Sequence, residues 1–177
     1  WAVPWLRAGA RTVSELGVRV DGPSASMLVV VCVVALCVQV FSLRYMHDEA
    51  PAGYGRYFAY HALFLFSMNS LVLAPNLLQL FAGWELVGVS SYLLIGFYYR
   101  KASAARAAVK AFWVTKFADM GFLVGLLVLF AASGSFGWDA RLDPATATAV
   151  TLLLFSAVVG KSAQFPLHVW LPDAMEG

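Results

Sequence analysis

Apolar residues come along this chain in long, nearly unbroken runs separated by short polar stretches, the pattern of a protein that crosses a membrane several times. The runs predict about five spans, near residues 23–45, 57–74, 76–99, 107–132 and 146–165. Each reaches or approaches the roughly 20 residues that a helix needs to cross a hydrocarbon layer about 30 Å thick. The first is Val-rich and free of charge until Arg44, with Pro23 and Ser24 at its start. Residues 46–56 read as a connecting loop, and Ala74-Pro75-Asn76 as a turn short enough to force two adjacent helices antiparallel. Ahead of the spans, residues 1–22 read as an interfacial or periplasmic loop region. Trp1 and Trp5 would sit at headgroup level, and the alternation in Gly17-Val18-Arg19-Val20-Asp21-Gly22 predicts a short strand and turn. The expected fold class is therefore an all-α membrane protein, a multi-span helical bundle occupying residues 23–177.

One run is interrupted in an informative way. The fifth span leads into Gly160-Lys161-Ser162-Ala163-Gln164-Phe165-Pro166, and Pro166 can neither donate to the carbonyl of Ser162 nor avoid crowding it. A kink or break is expected just beyond Lys161. Broken helices at membrane depth survive where they line a cavity or are buried in protein.

Composition sharpens the class. Hydrophobic residues make up 61% of the chain and charged residues 12%, against about 25% charged in soluble domains. The net charge of +2 (12 basic minus 10 acidic) is too small for a nucleic-acid surface, and no basic stripe with interleaved aromatics occurs. Nucleic acid is excluded as a partner, and the lipid bilayer takes its place. Cys32 and Cys37 are spaced off a common helical face and read as packing residues, so no disulfide or thiolate metal site is legible. His61 reads as a hydrogen-bonded residue near a span end. The basic residues Arg44, Arg56, Arg100, Lys101, Arg106 and Lys110 fall on one side of five spans, which makes that side cytoplasmic, or matrix-facing in an organelle. The opening Trp1-Ala2-Val3-Pro4 and the closing Met175-Glu176-Gly177 lead us to expect a fragment.

The chemistry lies in the charges that remain inside the spans: Glu85, Lys116, Asp119 and Lys161, two of each sign. Standing alone each would cost on the order of 3 kcal/mol, about 12 kcal/mol together, so mutual pairing is the economical arrangement. Lys116 and Asp119, at i and i+3, can pair along one helix as a plain salt bridge or belong to a charge relay. Glu85 shares a stripe with Gly88, Val89, Tyr92 and Gly96, small residues and a phenol suited to a close helix neighbour. Lys161 stands one turn before the break, and we expect it to be coupled to Glu85. His168 is either a second relay group or an interfacial residue beside Trp170. A lysine that binds a proton when paired and releases it when the pair opens is the minimum machinery of a proton carrier. There is no phosphate-binding loop, nucleophile constellation or cluster of metal ligands to suggest other chemistry.

These residues also carry a resemblance. Gly83-Trp84-Glu85-Leu86-Val87-Gly88 with Ser91 to Tyr99, then Lys110-Ala111-Phe112, Thr115-Lys116 and Asp119, then Gly160 to Met175, together resemble the L-type antiporter-like subunit of respiratory NADH:quinone oxidoreductase (complex I), called chain 5 in mitochondria. The likeness extends upstream through Val20 to Ser24 and Arg56 to Tyr60. It implies two inverted half-bundles, each with a broken helix, of which this chain would hold much of the first. It further implies that Glu85 and Lys161 form the charge pair of a proton half-channel with Asp119 nearby. Lys116 stands where many relatives have arginine, which keeps the cation and loses the bidentate fork. A second half-bundle and a long lateral helix, expected of an L-type subunit, would lie beyond this chain.

The resemblance implies a translocase subunit that binds no cofactor itself, with NADH, flavin, iron–sulfur clusters and quinone in partner subunits. It implies other membrane subunits of complex I as neighbours and a bacterial inner (plasma) membrane, ahead of a mitochondrial one, as location. The alternatives are a subunit of an Mrp-type sodium/proton antiporter, a membrane subunit of a hydrogenase complex, and a structural subunit that moves no ion.

Overall fold

Asp21 decides where the first long helix begins. The computed structural model describes residues 1–9 and 11–177, and in it Asp21 accepts from the Ser24 backbone N–H at 3.0 Å while its own N–H donates to Ser24 Oγ at 2.7 Å. This reciprocal capping box, with Pro23 in the first turn, starts α1 (Gly22–Tyr45). Val18–Asp21 are therefore a lead-in and not the strand expected there. Arg19 N–H is diverted to the Leu73 carbonyl at 2.9 Å. The strands lie earlier, as an antiparallel hairpin of β1 (Ala2–Ala8) and β2 (Arg11–Gly17) whose turn includes Gly9 at φ 62°.

Four further helices follow among the described residues: α2 (Pro51–Val72), α3 (Leu77–Ile95), α4 (Ala102–Ser133) and α5 (Pro144–Lys161). Two of them start earlier than hydropathy suggests. Proline at the first helical position lacks only an N–H that has no helical acceptor anyway, so Pro51 begins α2 inside the stretch read as a loop. The alanine-rich Ala102-Ser-Ala-Ala-Arg-Ala-Ala run favours helix regardless of its charge, and α4 reaches 32 residues, roughly 48 Å. It outruns the hydrocarbon layer and ends at Gly134, in the left-handed region at φ 66°. Helices α1, α3, α4 and α5 are each long and apolar enough to cross a membrane. The fold is thus the helical membrane bundle expected, with four such helices among the described residues where five spans were expected; α2, over the expected span 57–74, is not one of the four.

Packing is concentrated between α4 and α5, where Phe122, Leu126, Leu129, Val150 and Ala157 form a buried cluster that Phe81 and Trp84 of α3 close from one side. Gly160 lies so close against Ala118 that a methyl group there would overlap it. Helix α1 buries almost none of its apolar surface, and Cys32 and Cys37, read as packing residues, lie on its exposed faces.

The two ends of the bundle are tied differently. At one end Asn76, the α3 N-cap, donates to the Glu15 carbonyl at 2.7 Å, and Gln79 exchanges two hydrogen bonds with the Gly17 backbone at 2.8 and 2.9 Å, which seats the hairpin on α3. At the other end Arg56 lies over the rings of Phe97 and Tyr99, and Lys110 pairs with Asp173 at 2.8 Å. Lys101 pairs with Glu176 there, and its ammonium holds the Glu176 carboxyl below the ordinary range. His61 departs from expectation: part-buried between the rings of Tyr57 and Phe64, its Nδ1 has no hydrogen-bond partner among the described residues.

Candidate functional site

The break arrives where Pro166 predicts, and its local form can be specified. Helix α5 ends at Lys161, Gln164 N–H reaches back to the Val159 carbonyl at 3.0 Å, and Ala163 N–H reaches the Gly160 carbonyl at 3.3 Å. This is a Schellman ending, with Ala163 at φ 49° in the left-handed position that glycine usually takes. The Gly160 carbonyl also accepts from the Trp170 indole at 3.0 Å. The chain beyond folds into two short 3₁₀ turns, Leu167–Trp170 and Asp173–Glu176, which pack on α4.

Lys161 is thereby placed at a helix end that faces into the bundle. Its side chain is 15% exposed, and its ammonium donates to the Trp84 backbone carbonyl of α3 at 2.8 Å. It also lies 5.3 Å from the Trp84 ring centroid, a cation–π distance. The space it occupies exists because residue 88 is glycine: a methyl group there would meet the lysine nitrogen at 2.9 Å.

Asp119, on α4, is 3% exposed. Its Oδ1 accepts from the Trp84 indole N–H at 2.6 Å, while its Oδ2 is buried without a hydrogen-bond partner among the described residues, 4.0 Å from the Lys161 ammonium. That separation is an ion-pair distance and too long for a hydrogen bond. The intrahelical Lys116–Asp119 pair anticipated from their spacing does not form as a contact. Lys116 instead bridges to Glu85 across α4 and α3, and its ammonium lies 5.4 Å from the Phe112 ring. The four charges so form two interhelical pairs, Glu85 with Lys116 and Asp119 with Lys161. Glu85 and Lys161, expected to be coupled directly, do not pair with each other; the α3 backbone at Trp84 and the two charges on α4 lie between them.

Two further residues belong to this centre: Trp84, which sequence reasoning did not single out, and Gly88, which it placed beside Glu85 only as a packing residue. Trp84 touches both members of the second pair, and Gly88 supplies the room for one of them. The signal for Trp84 was present: a tryptophan in mid-span, away from the interface where the residue is usual, carries an N–H that must find an acceptor inside. His168 does not join the centre. It is exposed on the first 3₁₀ turn, its ring stacked 5.8 Å from Phe165.

Comparison with known proteins gives this geometry a context. The sequence profile described as "NADH:quinone oxidoreductase/Mrp antiporter, TM" matches residues 74–177, and the one described as "NADH-Ubiquinone oxidoreductase (complex I), chain 5 N-terminus" matches residues 5–58. The chain is 49% identical over 186 residues to the NAD(P)H-quinone oxidoreductase subunit 5 of the Paulinella chromatophora organellar chromatophore, a match that takes in 98% of this chain and 27% of that protein. It is 47% identical over 191 residues to NADH-quinone oxidoreductase subunit L of Neisseria meningitidis, covering 98% of this chain and 28% of the relative. The chain thus spans little more than a quarter of the length of these relatives, which include bacterial and organellar proteins. Among solved structures, that of the Mrp complex from Dietzia sp. DQ12-45-1b superposes with a TM-score of 0.88 at 28% identity, over all of this chain and 20% of the other.

Proposed function

Because the chain belongs to the NADH:quinone oxidoreductase/Mrp antiporter transmembrane family, we propose that it is part of the proton-translocating L-type subunit of an NADH:quinone oxidoreductase, with Lys161 as the proton carrier of its half-channel. The observation that carries this reading is the buried Lys161 at the broken end of α5, facing a buried carboxylate that keeps one oxygen unpartnered. A structural salt bridge would be expected to close that gap. An ion pair left open at 4.0 Å can instead exchange a proton with a water or a neighbouring group.

In this mechanism the Lys161 amine takes up a proton while Asp119 is ionised beside it. Coulomb attraction and the Trp84 carbonyl then hold the ammonium. Lys116 sits on the next turn of α4 from Asp119 and is neutralised by Glu85 as long as that pair is closed. Opening the pair exposes the Lys116 charge to Lys161, and the like charge favours release of the proton onward. The chain contributes positions and charges only. Electron transfer from NADH through flavin and iron–sulfur clusters to quinone belongs to partner subunits, and the membrane is a bacterial inner membrane.

A second reading, a subunit of an Mrp-type antiporter, is favoured by the 0.88 superposition on the Mrp complex. The two are separated by expressing the full-length protein in a host lacking its own copy and assaying everted vesicles. Restored NADH-driven acidification supports the oxidoreductase. Sodium/proton exchange in vesicles with no NADH response supports the antiporter and overturns the first reading.

A further inference from the structure

Among the described residues Trp84 is the one that bonds to both Lys161 and Asp119, and it does so with different parts of itself. The indole N–H donates to Asp119 Oδ1 at 2.6 Å, and the backbone carbonyl accepts from Lys161 at 2.8 Å. The ring is not free to wander. It packs edge-on to Phe122 at 5.8 Å, and Phe122 is buried in the α4–α5 cluster with the Phe81 ring also against it at 5.1 Å. Asp119 is consequently fixed in a rotamer that directs Oδ1 to the indole and leaves Oδ2 toward Lys161. We propose that Trp84 is a positioning residue for proton transfer: its indole N–H holds Asp119 with Oδ2 open toward the lysine, so that the pair stays poised at ion-pair distance without closing into a permanent bridge.

This rests on Lys161 being the proton carrier. Its distinguishing consequence is that the indole N–H acts through Asp119, the group it bonds. Without the N–H, Asp119 can rotate, and either closes onto Lys161 or turns away from it. In both cases transport slows while helix packing, which depends on the ring and not on its nitrogen, is preserved.

The test is a double-mutant cycle in the full-length protein within its assembled complex, with Trp84→Phe, Asp119→Ala and both together. Proton translocation per assembled copy is the readout, and Lys161→Met is carried in parallel. Trp84→Phe keeps an aromatic ring and the carbonyl, and should lower translocation at least about tenfold, the factor that a charge-assisted hydrogen bond carries. In the Asp119→Ala background the same change should do almost nothing further. A second signature is infrared: the carboxylate band that disappears in Asp119→Ala should shift in Trp84→Phe, because it has lost its donor. Equal effects of Trp84→Phe with and without Asp119, or an unshifted band, overturn the positioning role. A loss confined to the amount of assembled protein, with translocation per copy unchanged, overturns it too. If Lys161→Met translocates normally, it is the carrier assignment that fails.

Discussion

Replacing Gly88 with alanine adds a single methyl group at the point where the Lys161 ammonium rests. Built on the existing backbone, that carbon would stand 2.9 Å from the lysine nitrogen, inside van der Waals contact. The nitrogen is the far end of a flexible chain, so the lysine gives way and α3 does not. Moving it breaks the 2.8 Å bond to the Trp84 carbonyl, worth about 1.5–3 kcal/mol for a charged donor. Alanine in a helix interior meanwhile gains roughly 1 kcal/mol over glycine. The helix should therefore be as stable as before, or slightly more so, while the held position of Lys161 loses about 10- to 150-fold in population. The assay is proton translocation by the full-length variant, normalised to assembled complex measured on a native gel. The expected result is normal assembly with translocation reduced at least severalfold. Gly160→Ala is the contrast: the new methyl would meet the fixed Cβ of Ala118, so the amount of assembled protein should fall instead. Undiminished translocation per copy in Gly88→Ala would refute the claim that the lysine must sit where it does.

Other expectations are narrower. Exchanging the Glu85–Lys116 pair as Glu85→Lys with Lys116→Glu should recover assembly that either single change loses, since each single change leaves two like charges adjacent at a part-buried position; an exchange no better assembled than the singles would refute the interhelical pairing. Ala163→Gly should relieve the left-handed backbone at the Schellman ending, stabilising the detergent-solubilised protein by about 1 kcal/mol, and an unchanged or lower melting temperature would contradict that. Asp143 caps α5, and its bonds from Thr146 and Ala145 hold its carboxyl below the ordinary carboxylate range, as the bond from Ser24 does for Asp21 at α1. These caps contribute stability that is complete above the ordinary carboxylate range and is lost as pH falls through the depressed values. Asp143→Asn, which still caps but does not titrate, should flatten that acid loss without shifting stability at neutral pH, as a melting series across pH would show.

How much of this was legible in the sequence depended on which force set each feature. Hydropathy gave the helical membrane class, because exclusion of polar backbone from lipid leaves little choice, though among the described residues four helices and not five are apolar enough to span. Pro166 gave the break after Lys161 because the missing N–H is a local, covalent fact. Helix starts were less visible: Pro51 and the alanine run after Lys101 extend α2 and α4 ahead of the continuous apolar runs that hydropathy detects. The identity of the four intramembrane charges was legible, and their partners were not. Spacing along α4 offered Lys116 to Asp119, but the rotation of α4 against α3 hands Lys116 to Glu85 and leaves Asp119 for Lys161. Pairing of that kind is settled by the packing of three helices, and no single stretch encodes it. Trp84 illustrates the same limit, since its two bonds reach residues 35 and 77 positions away.

The central claim is that Lys161 carries the proton, and the most direct measurement replaces it with methionine, which keeps the length and removes the charge. Full-length protein with Lys161→Met would be assayed in membrane vesicles for NADH-driven quinone reduction and acidification together, with an artificial electron acceptor as the control for assembly. Acidification that collapses while the acceptor activity holds is the result this account predicts. Acidification and quinone reduction at wild-type rates, in vesicles where the variant is assembled, would contradict it.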